Sequence, residues 1–512
     1  MQFIWTRVIK YQKLLIFIVL IFLLKHSFDL RSINYARVPD IDSILDERTW
    51  VWQGLSIRQT GVPAGWSDLD AYIKKVNGKV PYQSINGFNL SFENKSVNLQ
   101  NFYFTPKPLV GVYKIDTGHG DTYIRIVQPL VEQPPLGGLI FGSLIQPKDK
   151  SFSDVSSVDY RRVSLWIAII TQILIFVVGI VVFDSWMIGL LAAAIYGSGP
   201  SFILLSRLSL LENIISPLSL AVLVILSWLN KHHKTISLQR SNLLTILAGI
   251  LAGLMALTKV TGYPMAFLLG SILIFYWRMG KKVFLIYLIS FSLVSSIYFI
   301  WLASLNSLGI FWNVFRFQSV ERLFFGSINF LTSIYQVRIR NFPPVDGWWL
   351  GGFISILFVP RIKENIGFWA GILVALAVAL FFGVANYAWY FIPLVPFLCL
   401  ATAYFIKEVI FNPSLFKSVI FYLIFFSSSL YWGYGVSYTV NSPSPSTYLQ
   451  IYRSLLLIVI GLGIFLSSTK SIKYRKYWIV AMIVMLLFML RLNDLSLRYI
   501  LTNWGHLPTL DF

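Results

Sequence analysis

Residues 164–183 read SLWIAIITQILIFVVGIVVF, twenty positions from Ser164 to Phe183 without one charged side chain. A helix needs about 20 apolar residues to cross the ~30 Å hydrocarbon layer of a bilayer, so this stretch predicts a membrane-spanning helix. Outward from it, comparable apolar segments recur near 8–24, 186–204, 212–229, 243–258, 262–277, 282–304, 348–360, 367–384, 389–406, 416–433, 454–468 and 478–491. Composition agrees: 56% hydrophobic residues, 12% charged and a mean hydropathy of +0.69 are too apolar for a soluble domain. The expected fold class is an all-α polytopic membrane protein with about 13 transmembrane helices, in a range of about 11–13.

The net charge of +20, from 42 Lys+Arg against 22 Asp+Glu, does not point to nucleic acid. The bases sit in short connections between apolar segments, as the cytoplasmic bias of Lys and Arg requires. With the N-terminus inside, alternation places Lys231/Lys234/Arg240, Arg278/Lys281/Lys282, Arg361/Lys363, Lys407/Lys417 and Lys470/Lys473/Arg475/Lys476 all on the cytoplasmic side. The expected division is a first transmembrane helix at 1–24, an extracytoplasmic loop at 25–163 and helices two to seven over 164–304. A second outer loop follows at 305–347, helices eight to thirteen over 348–491, and an outer tail at 492–512. Such a chain belongs in a plasma membrane, or in the ER membrane of a eukaryote. Cys399, the only cysteine, excludes an intramolecular disulfide and a multi-cysteine zinc site.

The loop 25–163 is too long for a connector. It carries Asp46-Glu47-Arg48-Thr49-Trp50-Val51-Trp52, a pair of acids followed by aromatics. Ile44 to Gln59 suits a helix whose stripe of Trp50, Val51, Leu55 and Trp52 would lie at the membrane interface, ended by Gly61-Val62-Pro63. Lys79 to Val127 holds alternating runs, among them Phe88–Phe92 and Thr122–Val127, that predict a small β-rich insertion.

Three further stretches fall on the same outer face: Glu132-Gln133-Pro134-Pro135-Leu136-Gly137, Arg207-Leu208-Ser209-Leu210-Leu211-Glu212, and Leu257-Thr258-Lys259. With Asp46-Glu47, in this order, they resemble the GT-C superfamily of polytopic glycosyltransferases, in particular its protein O-mannosyltransferase and aminoarabinose-transferase branch. That family has an acidic pair in the first outer loop, an acidic-x-Pro-Pro-Leu-Gly stretch before the second span, and R-x-x-L-L-D, where this chain has Glu212 for the Asp. The resemblance covers roughly residues 1–280; the rest matches only as apolar spans. It implies transfer of a sugar from a polyprenyl-phosphate carrier to a protein, lipid or glycan acceptor outside the cytoplasm, with Asp46 matching the catalytic base. One departure is Gln133, where relatives often carry Lys or His.

The residues are compatible with that chemistry on their own terms. Glycosyl transfer from a lipid phosphate needs a carboxylate to take the acceptor proton and cations to hold the leaving phosphate. Asp46 or Glu47 can supply the first, while Arg207, Lys259, Arg161 and Arg162, together with Glu132, are the candidate donor-phosphate or substrate contacts. Neither G-x-x-x-x-G-K-[ST] nor a strand-linked G-x-G-x-x-G is present, so no soluble-nucleotide cradle competes with a lipid donor. A divalent metal would draw on His119 with Glu132 or Glu212, against the plainer reading of His119 as a loop histidine. Plainer readings stand beside the others too: Ser43-x-x-Asp46 and Ser209-x-x-Glu212 fit helix capping boxes, and Lys259 fits a snorkelling lysine at a span end. The competing function class is a polytopic secondary transporter or lipid flippase, which usually places charges at mid-membrane and shows internal repeats; neither is evident here.

Overall fold

The computed structural model describes residues 2–39, 45–67, 69–72, 109–116, 121–145, 155–232, 235–321, 346–361, 365–382, 388–430, 450, 453–454, 457–458, 461 and 472–503. Helices dominate. In chain order they begin with α1 (Gln2–Ser32), α2 (Leu45–Thr60), α3 (Leu136–Phe141), α4 (Ser157–Val181), α5 (Trp186–Ser198), α6 (Pro200–Ser206) and α7 (Leu211–His232). Then come α8 (Leu238–Thr258), α9 (Gly262–Tyr276), α10 (Lys281–Ser304) and α11 (Leu308–Arg316), followed by the principal C-terminal helices Gly347–Ile356, Ile366–Phe382, Val395–Phe411 and Ile472–Thr502.

Among the described residues, six helices are long and apolar enough to cross a membrane, or up to seven if the bent pair α5–α6 is one span. Three of the thirteen expected segments form shorter apolar helices, Gly262–Tyr276, Ile366–Phe381 and Leu415–Leu430. A fourth, 348–360, forms the ten-residue helix Gly347–Ile356, about 15 Å long and half the hydrocarbon thickness. The segment 454–468 lies largely outside the described residues. Segment 186–204 is broken by 72° where α5 meets α6. Gly199 sits at the break and Pro200 opens α6, a position where the missing N–H costs no hydrogen bond.

Close approach of small residues assembles the bundle. Ala248, Gly249, Ala252, Gly253 and Ala256 form one small-residue face of α8, and α10 packs on it. A Cβ at Gly249 would meet the Tyr287 carbonyl oxygen at 2.7 Å, so the two backbones touch only because it is glycine.

A second core lies at one end of the bundle. It collects Trp50, Val51, Trp52 and Leu55 of α2 with Phe141 of α3, Leu211 of α7 and Tyr298 of α10. The helix expected over Ile44–Gln59 is found as Leu45–Thr60, but its apolar stripe does not lie on the membrane surface. Trp52, Val51 and Leu55 are fully buried against protein, a distinction hydrophobic spacing cannot make. Above them, β1 (Gly65–Trp66) and β2 (Leu109–Asp116) both pair antiparallel with β3 (Asp121–Gln128) in the order β1-β3-β2. Residues 73–108, including Phe88–Phe92, lie outside the described residues.

Candidate active site

The acidic pair opens α2, where the partial positive charge of a helix N-terminus favours carboxylates. The two acids have different fates. Glu47 is fully buried and accepts both Nε and Nη2 of Arg161, at 3.1 and 2.5 Å. It also accepts the Ser209 backbone N–H at 2.6 Å. Arg161 uses its remaining Nη1 on the carbonyls of Tyr35 and Pro39, at 3.0 and 2.8 Å. One ion pair therefore ties α2, α4, the chain after α1 and the turn before α7. Asp46 is half-buried beside it.

Around that helix start, each expected residue has a definite place. Lys259 caps the end of α8 and its ammonium donates to Glu212 in the first turn of α7. Both side chains are nearly buried, so Lys259 does not snorkel. Its ammonium also lies 5.2 Å from the centre of the Tyr390 ring. Burial acts to lower the Lys259 pKa, but Glu212, the Tyr390 phenol and Asp46 outweigh it and hold the ammonium above its ordinary value. Asp46, Glu212, Lys259 and Tyr390 thus share one electrostatic neighbourhood. The Ser209 hydroxyl contacts Tyr160 and Ser164 rather than the start of α7, so no Ser209–Glu212 capping box forms.

The Glu132–Gly137 stretch forms the seat under α2. Pro135 is the N-cap of α3, and Gly138 lies so close to α2 that a Cβ on Gly54 would collide with its carbonyl oxygen. Gln133, where the resemblance leads one to expect a cation, plays a joining role. Its backbone carbonyl accepts Gln53 Nε2 at 2.8 Å, and its side-chain carbonyl accepts the Val260 N–H at 2.9 Å just beyond α8.

Arg207, between α6 and α7, is fully buried. One Nη donates to the Ile33 carbonyl, while Nε and the other Nη have no hydrogen-bond partner among the described residues. Burial, with Arg161 and Arg31 close by, pushes its pKa well below the ordinary arginine value. Arg31 is the third buried guanidinium, bonded to Ser206 Oγ at 2.8 Å, to the Tyr196 carbonyl at 2.9 Å and to the Ser27 hydroxyl. Arg161 and Arg31 both lie close enough to Arg207 to act on its charge, and of the three only Arg161 is bonded to Glu47.

Arg162 is exposed and joins none of these bonds. Glu132 is half-buried near Tyr298, whose hydroxyl donates to the Val131 carbonyl at 2.8 Å. His119 lies outside the described residues, and among those described no three His, Cys, Asp or Glu side chains gather as a metal site would need.

Sequence reasoning passed over Arg31 and Tyr390, and gave Ser209 a capping role rather than the backbone bond it makes to Glu47. Arg31 looked like part of a solvated loop because α1 was expected to stop near Leu24, and Tyr390 is one ring in an aromatic run, Trp389-Tyr390-Phe391, with no spacing to single it out.

ArnT from Cupriavidus metallidurans, in its structure bound to undecaprenyl phosphate, superposes with a TM-score of 0.53 at 13% identity, over 96% of this chain and 77% of that one. The fold is that of ArnT. The same ArnT in the apo state gives 0.52 at 13% identity, over 97% and 78%. The archaeal oligosaccharyltransferase from Archaeoglobus fulgidus is looser, at 0.44 and 13% identity over 96% and 56%. No protein-family model matches the chain, and no curated protein matches it in sequence. The likeness to ArnT spans both halves of the chain, including the C-terminal spans where no motif gave a resemblance.

Proposed function

We propose that the protein is a glycosyltransferase that moves a sugar from a polyprenyl-phosphate donor to an acceptor on the extracytoplasmic face of its membrane. The observation that carries this is an acid, Asp46, within electrostatic reach of the buried Lys259–Glu212 pair, on a helix held by Glu47 and Arg161, in a fold like that of ArnT. ArnT, the fold neighbour, is seen with undecaprenyl phosphate, which supports a lipid-linked donor here.

In this reading Asp46 takes the proton from the acceptor nucleophile as that atom bonds to the sugar's anomeric carbon. The bond from that carbon to the phosphate oxygen breaks, and the lipid phosphate leaves with the electron pair. Lys259 and Arg207 supply the positive charge that holds it, and Arg207 has unsatisfied donors to offer. Arg161 is committed to Glu47, so both act as structural residues. Arg162, exposed, and Glu132 are not needed for the step.

A secondary transporter or flippase is the second reading, favoured by the broken span α5–α6, because interrupted helices mark many transporter sites. Turnover of a polyprenyl-phosphate sugar by the detergent-purified protein separates the two. The wild type is expected to transfer the sugar, and Asp46→Asn to lose roughly a hundred- to ten-thousand-fold in rate with its melting temperature kept. A wild type inert on every such donor would move the transporter ahead; full turnover in Asp46→Asn would remove Asp46 as the base.

A further inference from the structure

The last described helix, Ile472–Thr502, carries a charge cluster that sugar transfer does not use. Asp494 is 5% exposed and accepts Arg491 Nη1 at 2.5 Å and Arg498 Nε at 2.9 Å. The arginines themselves are 64% and 48% exposed. Each spends one nitrogen on Asp494, and among the described residues their other N–H groups have no partner in the protein. His26 of α1 lies beside the cluster, its Nε2 3.9 Å from Asp494.

Depth makes this costly. The charge-free run from Tyr477 to Leu490 is about 21 Å long, against ~30 Å of hydrocarbon, so a helix entering the layer at Tyr477 brings Arg491 about 9 Å short of the far edge and Arg498, two turns on, to the headgroups. An arginine facing lipid at that level needs a counter-charge, and Asp494 supplies one charge for two guanidiniums. Along the same exposed stripe, Leu487 on one side of Arg491 and Leu495 on the other are 62% and 43% exposed, so an apolar track runs past the cations. The end of this helix and Arg207 meet the same turn after α1, where Asn34 donates to the Leu501 carbonyl and Arg207 to that of Ile33.

We propose that Arg491 and Arg498 seat the phosphate of an anionic glycerophospholipid from that leaflet, its acyl chain lying along the Leu487 stripe. A guanidinium fork matches a phosphate's oxygens, and the apolar track below it is open to lipid. This site is independent of the sugar-transfer reading: no hydrogen bond or ion pair among the described residues joins it to Lys259 or Glu212.

Native mass spectrometry of the full chain in detergent, titrated separately with phosphatidylglycerol, polyprenyl phosphate and inorganic phosphate, tests it. The wild type is expected to retain phosphatidylglycerol, and the double variant Arg491→Gln/Arg498→Gln to bind it about tenfold more weakly or worse. Arg240→Gln, an exposed cation elsewhere, is expected to leave binding unchanged. If the double variant melts too early to measure, Arg491→Lys, which keeps the charge but loses the fork, is expected to weaken retention by a smaller factor. Equal retention in wild type and in whichever of these variants is measured overturns the proposal. So does tighter retention of polyprenyl phosphate than of phosphatidylglycerol, or displacement of the phospholipid by inorganic phosphate.

Discussion

Glu47 and Arg161 meet in a two-point ion pair with no exposed surface on either side chain, and the pair holds the helix on which Asp46 stands. Neighbouring acids in one sequence motif therefore carry separable burdens, and substitution can separate them.

Glu47→Gln leaves Arg161 buried without its counter-charge, a change that costs about 3–5 kcal/mol when one partner of a buried pair is removed. The expected outcome is a large fall in melting temperature of the purified protein, while Asp46→Asn melts close to the wild type. Equal melting of all three proteins would mean that the pair does not hold α2 in place.

Packing under α2 is equally strict. Gly54→Ala drives a methyl group into the Gly138 carbonyl oxygen, which is backbone and cannot swing aside. Overpacking of this kind costs about 1–3 kcal/mol and here also shifts Asp46. Loss of both stability and turnover is expected. At Gly309, inside α11, a Cβ meets nothing within 4 Å, and alanine there is expected to be neutral or to stabilise by up to about 1 kcal/mol.

Asp346 precedes the helix Gly347–Ile356 and accepts the Trp349 N–H at 2.8 Å; it also accepts the Ser201 N–H at 3.0 Å in the first turn of α6. Burial raises its carboxyl pKa above the ordinary value despite those bonds. The native state therefore keeps this proton to higher pH than the unfolded chain does. Its contribution is full below the unfolded pKa and falls as pH rises through the raised one. Asp346→Asn is expected to flatten that decline in a melting-temperature series run upward from pH 4. Asp346→Ala, which loses the cap, is expected to cost about 1–2 kcal/mol throughout. A wild-type series with no decline over that range would contradict the raised carboxyl.

The membrane class was legible because few soluble folds bury a charge-free run as long as Ser164–Phe183. The number of spans was less legible. Hydropathy does not distinguish a lipid-crossing helix from a short apolar one buried in the bundle, and Gly347–Ile356 reads like a span yet is half the length of one. The order of Asp46-Glu47, the Pro-Pro-Leu-Gly stretch, Arg207 and Lys259 pointed to the fold that ArnT shares. Their division of labour was not legible, because it depends on contacts across long separations, such as Glu47 with Arg161 and Lys259 with Glu212. Tyr390 and Arg31 gave no sequence signal at all, since an aromatic in an apolar run and a base near a span end are both commonplace.

The Lys259–Glu212 pair yields the most discriminating experiment, because a snorkelling lysine and a buried ion pair predict different numbers. A snorkelling lysine could be truncated with little loss. The structure instead buries both groups, so Lys259→Ala strands a carboxylate and is expected to cost several kcal/mol, up to about 3–5. Glu212→Gln in the same chain removes the stranded charge, so the double variant is expected to be more stable than Lys259→Ala alone. Melting temperatures of the four proteins form a cycle; a coupling of at least about 1 kcal/mol is expected, and strict additivity would dismiss the pair. Titration gives an independent check. Glu212, Tyr390 and Asp46 hold the ammonium above its ordinary 10.5, so its contribution is complete below that value and is lost only as pH rises through the higher folded one. Stability and turnover should then show no Lys259-dependent change between about pH 6 and 9. A basic limb in that window that vanishes in Lys259→Met would place the lysine in a different environment from the one described.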